Sequence, residues 1–384
     1  MPAEPASPLR IAVVHSYYSS RVPSGENVVV DLQVEALRRA GHEVALVARR
    51  TDELEQSRFF PVAAGLRVAT GRGHSPAATL EAFAPDVVHV HNLFPNFGRT
   101  WARRWGSRIV TTLHNYRPVC PGATLYRDGA PCSLCPDAGN ARPAVTHACY
   151  KDSKVQTLPV ALGTRFAADP LLASAARVIT LNDDMLARYA AFGVDRERLV
   201  TVPNFVPSGP ADPAELGDHW LFVGRLSHEK GILPLVRDWP VGPRLVVVGS
   251  GPLEDEIRAV AGPTVELLGQ RDNTEVRDLL RRAKGLFFPS IWPEGLPTVY
   301  LEALASGTPV VASSHSIVGA LVASEGTGFV ASDSVAEDIA RAERELPALR
   351  SRCRAVFEER YTEEAWIGAV GAVYADVVAG AGRA

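Results

Sequence analysis

Trp220-Leu221-Phe222-Val223-Gly224-Arg225-Leu226-Ser227-His228-Glu229-Lys230-Gly231 decides the fold. Trp220 to Val223 is a short apolar run that breaks at a glycine and leads through polar residues into a helix. An apolar run without alternation marks a strand covered on both faces, as in a parallel sheet. The same opening stands near the start of the chain. There Arg10-Ile11-Ala12-Val13-Val14 is followed by a loop holding Ser24-Gly25-Glu26, then by helical spacing from Val28 to Arg39 that stops before Gly41. A pattern that starts twice predicts two copies of one architecture.

Working outward, the first half carries further strand-like runs at Glu43 to Ala48, Asp86 to Val90, Arg108 to Thr112 and Arg177 to Leu181. The second half carries them at Arg244 to Val248, Val265 to Leu268, Gly285 to Phe288 and Pro309 to Ala312. Strands alternating with helices predict an α/β protein with mostly parallel sheets and helices on both faces. Val206 to Gly217, rich in Pro, Ala, Ser and Asp, reads as a linker. The expected division is therefore 1–205 and 206–360, with a final segment 361–384.

The bulk numbers agree with two globular domains. The chain has 384 residues, 46% hydrophobic and 22% charged, with a formal net charge of −3. That charge offers no basic excess for a nucleic-acid partner. No apolar run approaches the roughly 18 residues of a membrane span. Met1 to Pro8 lacks the charged and apolar regions of a leader, so a cytoplasmic location is expected. His15-Ser16-Tyr17-Tyr18 follows the first strand where a dinucleotide-binding enzyme would carry G-x-G-x-x-G.

Two segments carry chemistry. In Phe288-Pro289-Ser290-Ile291-Trp292-Pro293-Glu294-Gly295-Leu296-Pro297-Thr298-Val299-Tyr300-Leu301-Glu302-Ala303, a strand passes through a Gly/Pro turn into a helix starting near Pro297. The backbone of that turn, Gly295, Leu296, Pro297 and Thr298, with the N–H groups and dipole of the helix start, suits an anion such as a diphosphate. Glu294 precedes the helix, and Glu302 lies about 12 Å further along the axis. Two carboxylates so spaced can hold two hydroxyl pairs, one on a sugar and one on a ribose. Upstream, Arg225 and Lys230 lie on a turn after a strand, where open α/β sheets bind ligands. Together they can neutralise charge growing on a departing diphosphate, a task that other enzymes give to a metal.

These residues resemble the family-4 retaining glycosyltransferases of the GT-B fold, whose E-x7-E motif matches Glu294 and Glu302. The resemblance implies two Rossmann-like domains with parallel sheets facing across a cleft. The N-terminal one serves the acceptor, the C-terminal one binds the nucleotide-sugar donor, and the tail, Tyr361 to Val378, is a last helix that crosses back. It implies donor contacts at Gly25, at the turn Gly249-Ser250-Gly251 and at Leu268-Gly269. The loop at Gly25 reads Ser-Gly-Glu and lacks the family's Gly-Gly pair. It further implies that Arg225 and Lys230 stabilise the leaving group, that Glu294 and His114 orient the donor sugar, and that Glu302 binds the ribose. The reaction implied is transfer of a sugar, with retention, from a nucleotide-diphosphate sugar to a hydroxyl of a glycan, lipid-linked or natural-product acceptor, without a catalytic metal. Two other classes fit the architecture: a two-domain nucleotide-sugar epimerase, and a non-catalytic nucleotide-sugar-binding protein.

The first half holds three further features. Cys120, Cys132, Cys135 and Cys149 lie on a loop-like insertion at about 116–150. Their C-x2-C pair with two more thiols fits a four-sulfur structural zinc site, or four thiols without metal. His89 and His91 share a strand face, as a metal pair or as hydrogen-bonded residues. Gly98 to Arg108 interleaves Arg with Trp101 and Trp105. As a helix it would either lie on a membrane surface, placing the protein at the inner face of a membrane beside a lipid-linked acceptor, or turn its Trp residues to the core. Tyr116-Arg117, Arg127 and Lys151 could meet an anionic acceptor.

Overall fold

The computed structural model describes residues 8–21, 24–209 and 215–382. The chain divides into two compact units. The first comprises the residues up to Leu125, Ser133–Asn204 and the stretch from Glu364; the second comprises Tyr126–Cys132 and Phe205–Glu363.

The first unit is built on β1 (Arg10–Tyr17), β2 (Glu43–Arg50), β3 (Val87–Asn92) and β4 (Ile109–Thr112). A small antiparallel hairpin, β5 (Tyr126–Arg127) and β6 (Ala130–Pro131), falls in the second unit. The first sheet then continues with β7 (Arg177–Thr180) and β8 (Leu199–Thr201), in the order β2-β1-β3-β4-β7-β8. The second sheet uses β9 (His219–Val223), β10 (Arg244–Val248), β11 (Val265–Gly269), β12 (Leu286–Phe288), β13 (Val310–Ala312) and β14 (Gly328–Val330), in the order β11-β10-β9-β12-β13-β14. Every neighbouring pair in both sheets is parallel. Inner strands such as β1, β3 and β10 are buried on both faces, as their unalternating apolar runs require, whereas the edge strands β2 and β11 are only partly covered.

Some boundaries differ from the sequence reading. β1 runs on through His15, Ser16 and Tyr17, all buried, because each side chain finds a partner, although His15 Nδ1 has none among the described residues. His15 Nε2 pairs with Asn27 Oδ1 at 3.1 Å, Ser16 Oγ donates to the Phe94 carbonyl at 2.8 Å, and Tyr17 Oη donates to Asp31. Ser24-Gly25-Glu26 is not a loop. Ser24 caps the helix Gly25–Arg39, its hydroxyl accepting from Asn27 N, so Gly25 and Glu26 open the first turn. Phe205 and Val206 are buried, so the expected linker begins as packed chain; its residues 210–214 lie outside the described residues.

Gly98 to Arg108 forms no membrane-facing helix. It forms one short α-helical turn, Ala102–Trp105, and one 3-10 turn, Gly106–Arg108; Trp101 is buried, and its indole donates to the Gly98 carbonyl. Arg99 has a structural task. Its guanidinium pairs with Asp169 and donates to the carbonyls of Gly163 (2.6 Å) and Val68 (3.3 Å). Those carbonyls lie near the C-terminal ends of two packed helices, Phe60–Thr70 and Lys154–Gly163, where a cation is favoured.

The last helix, Glu363–Ala381, belongs to the first unit from Glu364 onward. Tyr374 Oη meets His89 Nδ1 at 2.7 Å, and Asp376 pairs with Arg177 at 2.6 Å. The helical run Val335–Ala381 includes a window of mean hydropathy 1.2, long and apolar enough to cross a membrane by composition alone. Trp366, Val370, Tyr374 and Val377 of this run are buried in the protein.

In the second unit, buried Glu325 ties three segments together. Its carboxylate accepts from Tyr300 Oη (2.5 Å), Tyr361 Oη (2.6 Å) and Arg360 Nη1 (2.6 Å). Tyr300 lies on the helix Thr298–Ala305. Replacing Glu325 with Ala strands the buried Tyr361 hydroxyl and leaves Tyr300 Oη with Thr327 Oγ1 alone (2.9 Å), while half-exposed Arg360 turns to water, so we expect a loss of about 1–3 kcal/mol in the stability of this unit by urea unfolding. An unchanged midpoint would show that the cluster does not hold the helix.

Candidate active site

In the second sheet the winding reverses between β9 and β12, so the loops that follow them part and leave a crevice at the strand ends. The two loops remain joined at their base. Ile291 N donates to the Glu229 carbonyl at 3.0 Å, and Gly231 stands at φ +67°. A Cβ on Gly231 would lie 2.1 Å from the Pro289 carbonyl, so only glycine allows the contact.

Lys230 and Glu294 meet across this crevice. Lys230 Nζ lies 2.8 Å from Glu294 Oε1. Ser290 Oγ (2.5 Å) and Trp292 Nε1 (2.9 Å) donate to the same oxygen. The ammonium also lies 5.3 Å from the Trp292 ring. Glu294 is buried and Lys230 only 21% exposed, so both are held before any ligand arrives. Arg225, on the same loop as Lys230, is exposed and has no ion-pair partner among the described residues.

The glycines of the neighbouring turn have a packing cause. A Cβ on Gly249 would meet the Gly224 carbonyl at 1.9 Å, and one on Gly251 the Leu226 carbonyl at 2.3 Å. They let the loop after β10 lie against the loop carrying Arg225. Leu268 and Gly269 end β11, and the Gly269 carbonyl accepts from Gly249 N at 2.9 Å.

The helix Thr298–Ala305 starts with Pro297 as N-cap and has no side-chain cap. The turn before it runs through Gly295 and buried Leu296. Half-buried Glu302 lies on this helix. Burial pushes its carboxyl above the usual range, against the pull of Arg277. No hydrogen bond reaches that carboxylate among the described residues.

The first sheet reverses between β1 and β3. There a cavity of about 100 Å³ is lined by Glu26, His91, Asn92, Phe94, His114 and Arg117 among others. His91 Nδ1 lies 3.0 Å from His114 Nε2. His89 is buried behind them, with Nε2 2.7 Å from Thr112 Oγ1 as well as Nδ1 on Tyr374. Burial holds the imidazoles of His89 and His114 down at about 3, that of His15 at about 4, and that of His91 well below its usual value. All are neutral at pH 7. Burial also pushes the Glu26 carboxyl up to about 7, opposed by Arg117 and by hydrogen bonds from Asn115 and Asn92. Asn115 Nδ2 donates to Glu26 Oε2 at 3.2 Å, while Oε1 is buried without a partner.

Glu26 carries no signal in the sequence, which reads it as part of a loop ahead of the helix, where an acid is ordinarily solvated. Of the residues offered for an anionic acceptor, Arg117 alone lines this cavity, stacked 4.3 Å from the Phe94 ring. Tyr116 is buried against Tyr189, Arg127 pairs with Asp128, and Lys151 is exposed.

The zinc expectation is corrected. Among the described residues no three His, Cys, Asp or Glu side chains gather to hold a metal ion. Cys132 closes the hairpin segment in one unit, whereas Cys120, Cys135 and Cys149 belong to the other. The hydrogen bonds of His89 likewise replace the metal-pair reading.

The neutral histidines give stability a definite pH dependence. Folded His89 stays neutral to about pH 3, whereas the unfolded chain binds a proton near 6.5, so unfolding takes up a proton between these values. Stability is lost as pH falls below 6.5, by about 1.4 kcal/mol per pH unit for each such histidine. Glu26 acts oppositely between 4.5 and about 7, offsetting one of the four. We expect the urea midpoint to fall steeply from pH 6.5 to 4.5, and His89→Gln to make the fall shallower. An equally steep fall in that variant would remove His89 from this account.

Comparison with known proteins places this geometry. Residues 24–204 match the family described as "Glycosyl transferase 4-like domain", and residues 217–347 match "Glycosyl transferases group 1". A glycogen synthase of Mycobacterium tuberculosis is 35% identical over 169 residues, 38% of this chain. The chain spans about two fifths of that relative's length, 39%. Among solved structures, sucrose-phosphate synthase from Thermosynechococcus elongatus aligns at a TM-score of 0.63 with 19% identity, over 97% of this chain and 99% of that one. HepE of Anabaena, in complex with UDP and glucose, aligns at 0.59 with 14% identity, over 96% and 100%. Both show a shared GT-B fold. With the two family matches lying one on each half of the sequence, the chain belongs to the family-4, group 1 glycosyltransferases.

Proposed function

We propose that this protein transfers a sugar from a nucleotide-diphosphate sugar to a hydroxyl of a glycan, lipid-linked or natural-product acceptor, with retention at the anomeric carbon. The observation that carries the reading is the fixed Lys230–Glu294 pair at the strand reversal of the second sheet, beside exposed Arg225. HepE, a fold neighbour, binds UDP and glucose, which supports a nucleoside diphosphate donor here.

On this reading the diphosphate lies against Arg225, Lys230 and the uncapped start of the helix at Pro297 and Thr298. The bond from the anomeric carbon to the diphosphate oxygen breaks, and the two cations take up the negative charge. The acceptor oxygen bonds to the same carbon on the same face, and its proton passes to a diphosphate oxygen. Glu294 accepts three hydrogen bonds at Oε1, which suits a fixed orienting group for sugar hydroxyls. Glu302, pushed toward protonation and without a partner, gains hydrogen bonds by taking the ribose hydroxyls. Neutral His114 is an uncharged hydrogen-bond partner for the transferred sugar. Gly25, Gly249, Gly251, Leu268 and Gly269 are assigned to the donor by the family resemblance.

Arg225 gives the cleaner test, since its side chain makes no ion pair among the described residues. Arg225→Ala is expected to lower turnover about 10²-fold, the scale of losing one charge-stabilising donor, with its melting temperature unchanged. Wild-type turnover would overturn the leaving-group assignment. In a thermal-shift panel of nucleotide sugars, stabilisation should come from one nucleoside series and be lost in Glu302→Ala. A panel in which none stabilises the chain would remove the donor reading.

A further inference from the structure

The helices Phe60–Thr70 and Lys154–Gly163 pack against each other, with Gly65 against Pro159. Among the described residues, six of the eleven exposed large apolar side chains lie on this pair. Phe59, Val62 and Leu66 form one stripe, and Val155, Leu158 and Leu162 form the other. Both have the i, i+3, i+7 spacing of a single helix face. Val62 and Leu66 are 65% and 63% exposed and Val155 82%, unlike the buried Ala64, Thr157 and Val160 on the inner faces. Exposed apolar groups clustered in this way mark an interaction surface.

Charge identifies the partner. From Ser57 to Gly73 the charged residues are Arg58, Arg67 and Arg72, and from Ser153 to Ala168 they are Lys154 and Arg165, with no acid in either stretch. Arg58, Arg72, Lys154 and Arg165 are exposed, and none pairs with a carboxylate among the described residues. Two apolar stripes bordered by unpaired cations match a surface that is apolar below and anionic above.

We infer that this helix pair docks the protein onto an anionic lipid bilayer, with the two stripes entering the headgroup boundary and the four exposed cations meeting lipid phosphates. The inner sides of the same helices contribute Val68, Val160 and Thr164 to the cavity that holds Glu26 and His114. A lipid-borne acceptor would thus be met close to that cavity, a consequence that rests on the sugar-transfer reading; bilayer docking does not.

The test is sedimentation of the full chain with vesicles of phosphatidylglycerol and phosphatidylcholine in equal parts, and with phosphatidylcholine alone. Binding is expected to the mixed vesicles and to weaken on adding salt. Val62→Ser with Leu66→Ser, and separately Arg58→Glu with Lys154→Glu, should each weaken it at least about tenfold at an unchanged melting temperature. Both pairs are exposed, so a fold defect would show as a lowered melting temperature in one pair while the other still reports. A chain that stays in the supernatant with mixed vesicles overturns the inference. So does binding undiminished in both double variants. A lipid-free dimer that the Val62/Leu66 variant dissolves also overturns it, by making a second copy the occupant.

Discussion

A parallel sheet whose winding reverses cannot close the gap between the two central strands. The crossovers on either side depart to opposite faces, and the loops at the carboxyl ends separate. Both sheets of this protein have one such reversal, β9 to β12 in one and β1 to β3 in the other. Each chemically distinctive cluster lies there. The Lys230–Glu294 pair spans one opening, and Glu26 with the His91–His114 pair lines the other. The apolar cores set the strand order, and the strand order sets where polar groups can be presented.

The two openings are built differently. In the second unit, glycines do the work: Gly231, Gly249 and Gly251 let three loops touch backbone to backbone, and the charged side chains project from a rigid rim. In the first unit, burial does it. Four histidines are kept neutral, and a carboxyl is pushed to about 7 by loss of water rather than by a neighbouring anion. One region is tuned for charge and the other for uncharged hydrogen bonding.

Strands such as Arg244–Val248 were legible because a strand buried on both faces is a bare apolar run, and the candidate site in the second unit because Arg225, Lys230, Glu294 and Glu302 lie close in sequence to such runs; of these four the structure brings Lys230 and Glu294 into contact. What escaped was whatever depends on partners distant in sequence. β1 continues through His15 and Tyr17 only because Asn27 and Asp31 wait across the fold. β8 and β14 have three residues each and lie at sheet edges, too short to show a pattern. Arg99 looked like part of a surface helix, but Asp169, Gly163 and Val68 draw it inward from far along the chain. The cysteine spacing suggested a metal, but spacing does not fix where the Cys120 and Cys149 thiols stand relative to the C-x2-C pair, and no metal-holding group of side chains gathers among the described residues.

Glu325 bears on how the molecule could be dissected. The family match to the second unit ends at residue 347, a natural place to cut an expression fragment. Two of the three groups that donate to the Glu325 side chain, Arg360 and Tyr361, lie beyond that point. A fragment ending there would keep the helix that carries Thr298 and Glu302 but leave Glu325 with Tyr300 alone, an acid buried without its cation. The smallest autonomous piece of this unit is therefore longer than its recognisable sequence, and must run past Tyr361.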